Sequence, residues 1–194
     1  MFKRILIAVT MILGLAGVAR AEVFTIDKTH SNVGFSVKHL GISRVHGSFN
    51  DFSGTVTYDP ADTAGWSCEA VILMASVDTR DSSRDGHLKS SDFFDVEKHP
   101  TMTFKSTKVT PRGEGRFAVE GNLTLRGVTK QVSLDAEVLG TVESERGQRI
   151  GFSAKTRIDR MDYGVSWNNV LESGGLVVSH EVDIILEIEA AAKK

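Results

Sequence analysis

Phe117-Ala118-Val119-Glu120-Gly121-Asn122-Leu123-Thr124-Leu125, followed closely by Val128-Thr129-Lys130-Gln131-Val132-Ser133-Leu134-Asp135-Ala136-Glu137-Val138, decides the fold. Phe117, Val119, Leu123 and Leu125 fall on one parity, and Ala118, Glu120, Asn122 and Thr124 on the other. The second run repeats the pattern, with Val128, Val132, Leu134, Ala136 and Val138 set against Thr129, Gln131, Ser133, Asp135 and Glu137. A period of two is that of a strand with one wet face. Val33, Phe35 and Val37 share one face in the same way, and Val182, Ile184, Leu186 and Ile188 alternate with Glu181, Asp183, Glu187 and Glu189. Further strands are expected near Val23 to Asp27, Val45 to Tyr58, Ser67 to Val77, Thr101 to Val109 and Ile150 to Ile158, joined by turns such as Arg112-Gly113-Glu114-Gly115. Consecutive one-sided strands must pair into an antiparallel sheet, either closed around an apolar interior or packed as two layers.

Two stretches depart from this rhythm. Ser82 to Asp95 lacks alternation and has Leu88, Phe93 and Phe94 as its large apolar groups, which predicts a short helix and then a loop carrying an aromatic pair. Between Cys68 and Val77 both parities are apolar: Ala70, Ile72 and Met74 oppose Val71, Leu73 and Val77, so the outer side of that strand is expected to be covered.

The N-terminus addresses the chain. Lys3 and Arg4 precede the apolar run Ile5 to Val18, and Ala19-Arg20-Ala21 supplies a small-x-small cleavage pattern, so residues 1–21 read as a secretory signal peptide and 22–194 as one domain. The run is shorter than a spanning helix needs, and no later segment is apolar enough to cross a bilayer, so the mature chain is expected to be periplasmic and soluble, without stable membrane insertion. Cleavage removes Lys3, Arg4 and Arg20 and no acid, which takes the formal balance from −2 to −5. An acidic chain without a basic cluster offers no electrostatic reason for a nucleic-acid partner. Cys68 is alone and cannot form an intrachain disulfide; a buried thiol is the simpler reading, and a homodimer stays open.

Motifs for chemistry are sparse. His30, His39, His46, His87, His99 and His180 form no H-x-x-x-H unit and there is no C-x-x-C, so no metal site and no cofactor are expected. No G-x-S-x-G elbow, glycine-rich phosphate loop or dinucleotide fingerprint occurs, and an enzyme is not expected. Asp81-Ser82-Ser83-Arg84-Asp85-Gly86 imitates the start of an EF-hand loop, with Asp92 at its twelfth position. Lys89 at a ligating position, the absence of the bidentate Glu and a preceding strand speak against calcium. What remains is apolar surface. An eight-stranded barrel is just wide enough to be filled by its own side chains or to hold one ligand, and periodicity leaves Phe35, Phe49, Met74, Phe104, Phe117 and Phe152 as filler or as lining.

Longer motifs carry a resemblance. His30-Ser31-Asn32-Val33-Gly34-Phe35-Ser36-Val37-Lys38-His39-Leu40 resembles the opening signature of the YceI-like family of periplasmic polyisoprenoid-binding proteins. Arg84-Asp85-Gly86-His87-Leu88-Lys89-Ser90-Ser91-Asp92-Phe93-Phe94-Asp95 and His99-Pro100-Thr101-Met102-Thr103-Phe104-Lys105-Ser106 resemble its central block, with Gly86 standing where a bulkier polar residue is expected. Gly121 to Lys130 and Arg160-Met161-Asp162-Tyr163-Gly164-Val165 resemble later blocks, while Ser166 to Gly175 matches no firm pattern. The resemblance implies an all-β fold: an extended, antiparallel, eight-stranded lipocalin-like barrel with a short helical excursion. It implies a tunnel for a polyisoprenoid, quinone or fatty-acyl-like lipid. Parity and motif together place Phe35, Val37, Phe49, Met74, Phe94, Met102, Phe104, Leu123, Leu125 and Phe152 along the tail, with His39 and Asp92 at the tunnel mouth. A filled structural or stress-response barrel is the main alternative, and a lipid-modifying enzyme the lesser one.

Overall fold

One-sided strands need partners on both edges for their N–H and C=O groups, and a sheet without an end satisfies every strand at once. The computed structural model describes residues 21–145, 147–170 and 175–192. The signal-peptide reading therefore falls, through residue 20, outside the described residues. The strands are β1 (Glu22–Ile26), β2 (Asn32–His39), β3 (Ser43–Phe49), β4 (Phe52–Tyr58), β5 (Ser67–Leu73) and β6 (Val77–Asp78), then β7 (Thr101–Gly113), β8 (Arg116–Leu125), β9 (Val128–Ser144), β10 (Gly147–Asp159) and β11 (Val178–Ala192). All pairings are antiparallel. The order β1-β4-β5-β7-β8-β9-β10-β11 closes when β11 returns to β1, with Phe24 opposite Ala192 and Ile26 opposite Ala190. This is the closed eight-stranded barrel that the periodicity and the resemblance led us to expect.

The three remaining strands extend the same staves. β1 runs on into β2, β3 into β4, and β5 into β6, so β11 leaves β1 and pairs with β2, β2 with β3, and β3 with β6. The kinks lie side by side. A 3-10 turn at Lys28–His30 interrupts the first stave, Asn50 and Asp51 the second, and a 3-10 turn at Met74–Ser76 the third. Ser76 ties two of them: its carbonyl accepts from Asn50 N at 3.1 Å, and its hydroxyl accepts from Asp51 N at 3.0 Å. Thus Val45 to Tyr58 and Ser67 to Val77, expected as single strands, are each two strands joined at a bend.

The third kink also explains the two-faced apolar run. In a straight strand Met74 and Val77 would point to opposite faces, but the turn between them resets the phase and buries both, at 1% and 3% exposure. Val71 and Leu73 stay on the outer face, each 42% exposed, so among the described residues that side is not covered as expected.

Helix α1 (Ser82–Lys89) supplies the excursion. Asp81, read as the first EF-hand ligand, is its N-cap and accepts from Arg84 N at 3.0 Å. Asp85 accepts from Thr79 N and Oγ1 at 2.9 and 2.6 Å, and Asp92 faces His87 Nε2 at 2.9 Å. The carboxylates of the apparent loop are thus spent on local turns.

Barrel closure has its own brace. Only three residue pairs join β1 to β11. Just beyond them, Arg149 on β10 reaches Asp27 Oδ2 at 2.8 Å and also bonds Glu189 on β11. Asp27 further accepts from Thr29 Oγ1 at 2.6 Å and lies 3.0 Å from His30 Nδ1. The Thr29 hydroxyl foremost, then Arg149 and His30, hold the Asp27 carboxyl far below the usual carboxylate range. A depressed carboxylate adds stability that is complete above its unfolded pKa of about 4 and is lost as pH falls toward the folded value. Asp27→Asn should therefore lower Tm at neutral pH, and the gap from wild type should narrow when both are melted at about pH 3. An equal or wider gap in acid would show that the charge does not brace the seam.

Candidate functional site: an apolar interior in two chambers

Inward-facing parity on every stave fills a barrel with aliphatic and aromatic groups, yet here they do not meet at the axis. Two cavities of about 170 and 110 Å³ lie inside the barrel, and both present apolar walls. Val33, Met102 and Ile184 border both, so the chambers adjoin at a waist made by β2, β7 and β11. The larger ends against an aromatic cluster in which Trp66 lies 4.5 Å from Tyr58 and 4.4 Å from Phe117, centroid to centroid. The smaller ends under the loop after α1, where Phe94 meets Phe49 at 6.0 Å and Phe93 meets Trp167 at 5.1 Å.

Two glycines keep the bore open. Gly47 on β3 lies opposite Phe35, and Gly121 on β8 is a near neighbour of Phe104 across the β7–β8 pair. A Cβ at Gly47 would fall 2.7 Å from Phe35 Cε1, and one at Gly121 would fall 2.6 Å from Phe104 Cε2. Both rings therefore lie down in notches that any side chain would fill, against the wall rather than across the lumen.

The capped end is held by two arginines. Arg160, 4% exposed, follows β10 in the 3-10 turn Arg160–Tyr163 and donates to the carbonyls of Ser179 at 2.9 Å, Val165 at 2.5 Å and Val178 at 3.4 Å. Its nitrogens face backbone, while the residue borders the small chamber. Burial pulls its pKa down from the ordinary arginine value. Arg126, in the β8–β9 turn, donates to Ser91 O at 2.9 Å and to Gly164 O, linking the helical excursion to that 3-10 turn.

Among the described residues, little titratable chemistry reaches the lumen. Cys68 borders the larger chamber, and burial pushes its thiol up to about 11, which leaves it a poor nucleophile. Glu69 and Glu137 stand at outward positions of β5 and β9, and Glu69 meets Lys105 Nζ at 2.5 Å. Tyr163 is 2% exposed, with its hydroxyl driven up to about 12 by burial. Outside the barrel, Asp27, His30 and Glu189 bring three potential metal-ligand atoms within 4.8 Å of one another, but Arg149 already bonds both carboxylates. Sequence reading missed that trio because its members lie on β11 and on the first kink, far apart in the chain.

Of the residues named from sequence, Phe104, Leu123 and Phe152 border the larger chamber, and Phe35, Val37, Phe49, Met74, Phe94 and Leu125 the smaller; Met102 borders both. His39 and Asp92 border neither. His39 is the half-buried last residue of β2, and the Asp92 side chain is 53% exposed. Trp66 was missed, since it sits in the β4–β5 connection where parity gives no signal.

Comparison with known proteins agrees with this architecture. The description of a YceI-like domain matches residues 24–190. A UPF0312 protein of Pectobacterium carotovorum is 39% identical over 199 residues, covering all of both chains. Another from Vibrio cholerae is 38% identical over 192 residues, 94% of this chain and 97% of that one. Among solved structures, BcnA of Burkholderia cenocepacia superposes with a TM-score of 0.77 at 26% identity, over 86% of this chain and 99% of that one. The YceI protein of Campylobacter jejuni gives 0.70 at 36% identity, over 87% and 96%. A polyisoprenoid binding domain from Saccharophagus degradans shares the fold, with 0.64 at 21% identity, over 90% and 100%.

The notch geometry is testable by a double-mutant cycle in urea. Gly121→Ala should cost about 1–3 kcal/mol by forcing the Phe104 ring off the wall. In a Phe104→Leu background the same change should cost at least about 1 kcal/mol less. Strictly additive costs would show that the ring does not occupy the notch.

Proposed function

The chain belongs to the YceI-like domain family, and from that footing we propose that it is an exported periplasmic protein that binds a long apolar lipid inside its barrel, without catalysing a reaction on it. The observation that carries this reading is the pair of adjoining apolar chambers. At about 24 cal/mol per Å³ of void, leaving both empty would cost about 7 kcal/mol, comparable to the whole stability of a typical domain. An apolar chain that fills them recovers the missing contacts and gains about 0.8 kcal/mol for each buried CH₂. A polyisoprenoid, quinone or fatty-acyl-like tail has the required shape and chemistry. That the polyisoprenoid binding domain from Saccharophagus degradans shares this fold supports the reading.

In this reading Phe104, Leu123 and Phe152 line the inner half of the tail, Met102 the waist, and Phe35, Val37, Phe49, Met74, Phe94 and Leu125 the outer half. Asp92, one residue from the chamber-lining Phe93, is paired with His87, and His39 closes β2 beside Val178, which borders the same chamber. No titratable pair converges on the lumen among the described residues: Cys68 borders the larger chamber with the acids beside it on outward positions, and Arg160 borders the smaller with its nitrogens on backbone carbonyls. This favours binding over catalysis.

Protein purified without detergent should release a lipid on solvent extraction and show the corresponding mass in native mass spectrometry. Phe104→Asp should lose that lipid while remaining folded, because a carboxylate at the wall must stay hydrated where the tail would lie. Thr103→Asp, on the outer face, should retain it. A wild type devoid of lipid, together with a Phe104→Ala loss of about 3–5 kcal/mol as for a packed core residue, would establish a filled barrel instead.

A further inference from the structure

A channel that grips by apolar contact selects tail length only if one of its ends is blind, and one end of this barrel is. Ile26, Phe152 and Ile188 border the larger chamber, and one inward step further along the same three strands stand Phe24, Ile150 and Ala190. These are 0%, 1% and 0% exposed, so there the barrel is filled by its own side chains. Tyr58 joins that floor, edge-on to Phe24 and to Phe152 with 6.3 Å between centroids in each pair.

Trp66 lies over the floor, against Tyr58 and Phe117, and borders the larger chamber. It stands on the β4–β5 connection, not on a stave, and two hydrogen bonds of its own turn fix it. Its indole Nε1 donates to Asp59 O at 2.6 Å, and its backbone N to Thr63 O at 3.2 Å. Asp62 caps the 3-10 turn Thr63–Gly65 by accepting from Ala64 N at 2.9 Å. A large ring anchored through its polar edge presents a rigid apolar face, since turning it would break the hydrogen bond of a part-buried donor.

The distance from this ring to the other end is set by one strand. Phe117, against the indole, and Leu125, on the smaller chamber, are eight residues apart on β8, about 27 Å of strand or about 20 Å along the tilted barrel axis. Beside the ring the wall is small: Ala136 pairs with Phe117 on one side and with Ala154 on the other, and both alanines border the larger chamber.

We propose that Trp66 is the length stop of the lumen: the apolar end of the bound tail abuts the indole, and the polar end lies toward Phe94 and the loop after α1. This rests on the lipid-binding reading and adds to it an orientation and a ruler.

The chain's two tryptophans make the orientation measurable, because Trp66 marks the blind end and Trp167 the other. In the protein secreted by its host, Trp167→Phe isolates the emission of Trp66, and Trp66→Phe that of Trp167. Palmitic acid brominated at its terminal carbon should quench Trp66 and spare Trp167. Length is read with all-trans prenols from farnesol to solanesol, by retention from equimolar mixtures in native mass spectrometry. Retention should rise with each isoprene unit and then level off. Trp66→Ala should move the levelling point longer by about one to two units, since removing the indole makes room for about nine tail carbons. Trp66→Leu, which keeps an apolar filler should the alanine variant not fold, should move it in the same direction, and Ala136→Leu should move it shorter. The stop is overturned if prenols bind but these variants level off at the wild-type length, or if the terminal bromine quenches Trp167 as strongly as Trp66. Failure of every probe to bind wild type would instead remove the lipid-binding reading, and the stop with it.

Discussion

Everything inside this barrel depends on β11 having two partners on one edge. Of its 15 residues, Glu181 to Ala191 hold β10, while its other edge passes from β2 to β1. A straight first stave could not stay in register with β11 over so long a path, because coiling and twist accumulate along each strand. The kink at Lys28–His30 resolves that conflict, and the neighbouring kinks at Asn50–Asp51 and Met74–Ser76 let the second and third staves follow. Ser31 joins the halves across the seam: its hydroxyl accepts from Glu189 N at 2.9 Å and donates to Glu189 O at 3.2 Å. Closure of an open edge and bending of three staves are thus one event.

The cap follows the same economy of contacts. A buried guanidinium with no carboxylate partner is costly unless its N–H groups find oxygen, and Arg160 meets three backbone carbonyls at an irregular turn, sharing that of Val178 with Asn168 Nδ2. It secures Val165 and the start of β11 at once. Arg126 does the equivalent for the helical excursion through Ser91 and Gly164. The guanidinium nitrogens of Arg160 are consumed in holding the wall, and what the two chambers present is carbon and sulfur.

How much of this was legible depended on whether a feature is local. The parity of Phe117 to Leu125 and Val128 to Val138 fixes which side chains face inward, and the break at Ser82 to Asp95 marks the helix, because strand and helix periods need only neighbouring residues. The apolar positions assigned to the tail border the chambers for the same reason. Where a stave kinks, parity fails: Met74 and Val77 looked opposed and are both buried. The acids at Asp81 and Asp85 looked like calcium ligands because capping and ion binding ask for the same oxygens at similar spacing, and only the helix tells them apart. Trp66, Arg149 with Asp27, and the glycines beneath Phe35 and Phe104 depend on which strands become neighbours. Register across a sheet is not written in any one strand.

Those glycines also bear on how the family could diversify. A wall of antiparallel staves is expensive to redesign, since one slipped register inverts a whole face. The calibre of this lumen, in contrast, is adjusted at single positions whose side chains make no hydrogen bond and hold no turn. A methyl group gained beneath one ring would lift it into the channel, and a ring lost above one glycine would widen it, while the staves, seam and cap stay as they are. Homologous barrels can thus be re-bored for shorter, longer or bulkier cargo by point substitution, and the residue beneath each wall aromatic is the place to read the gauge.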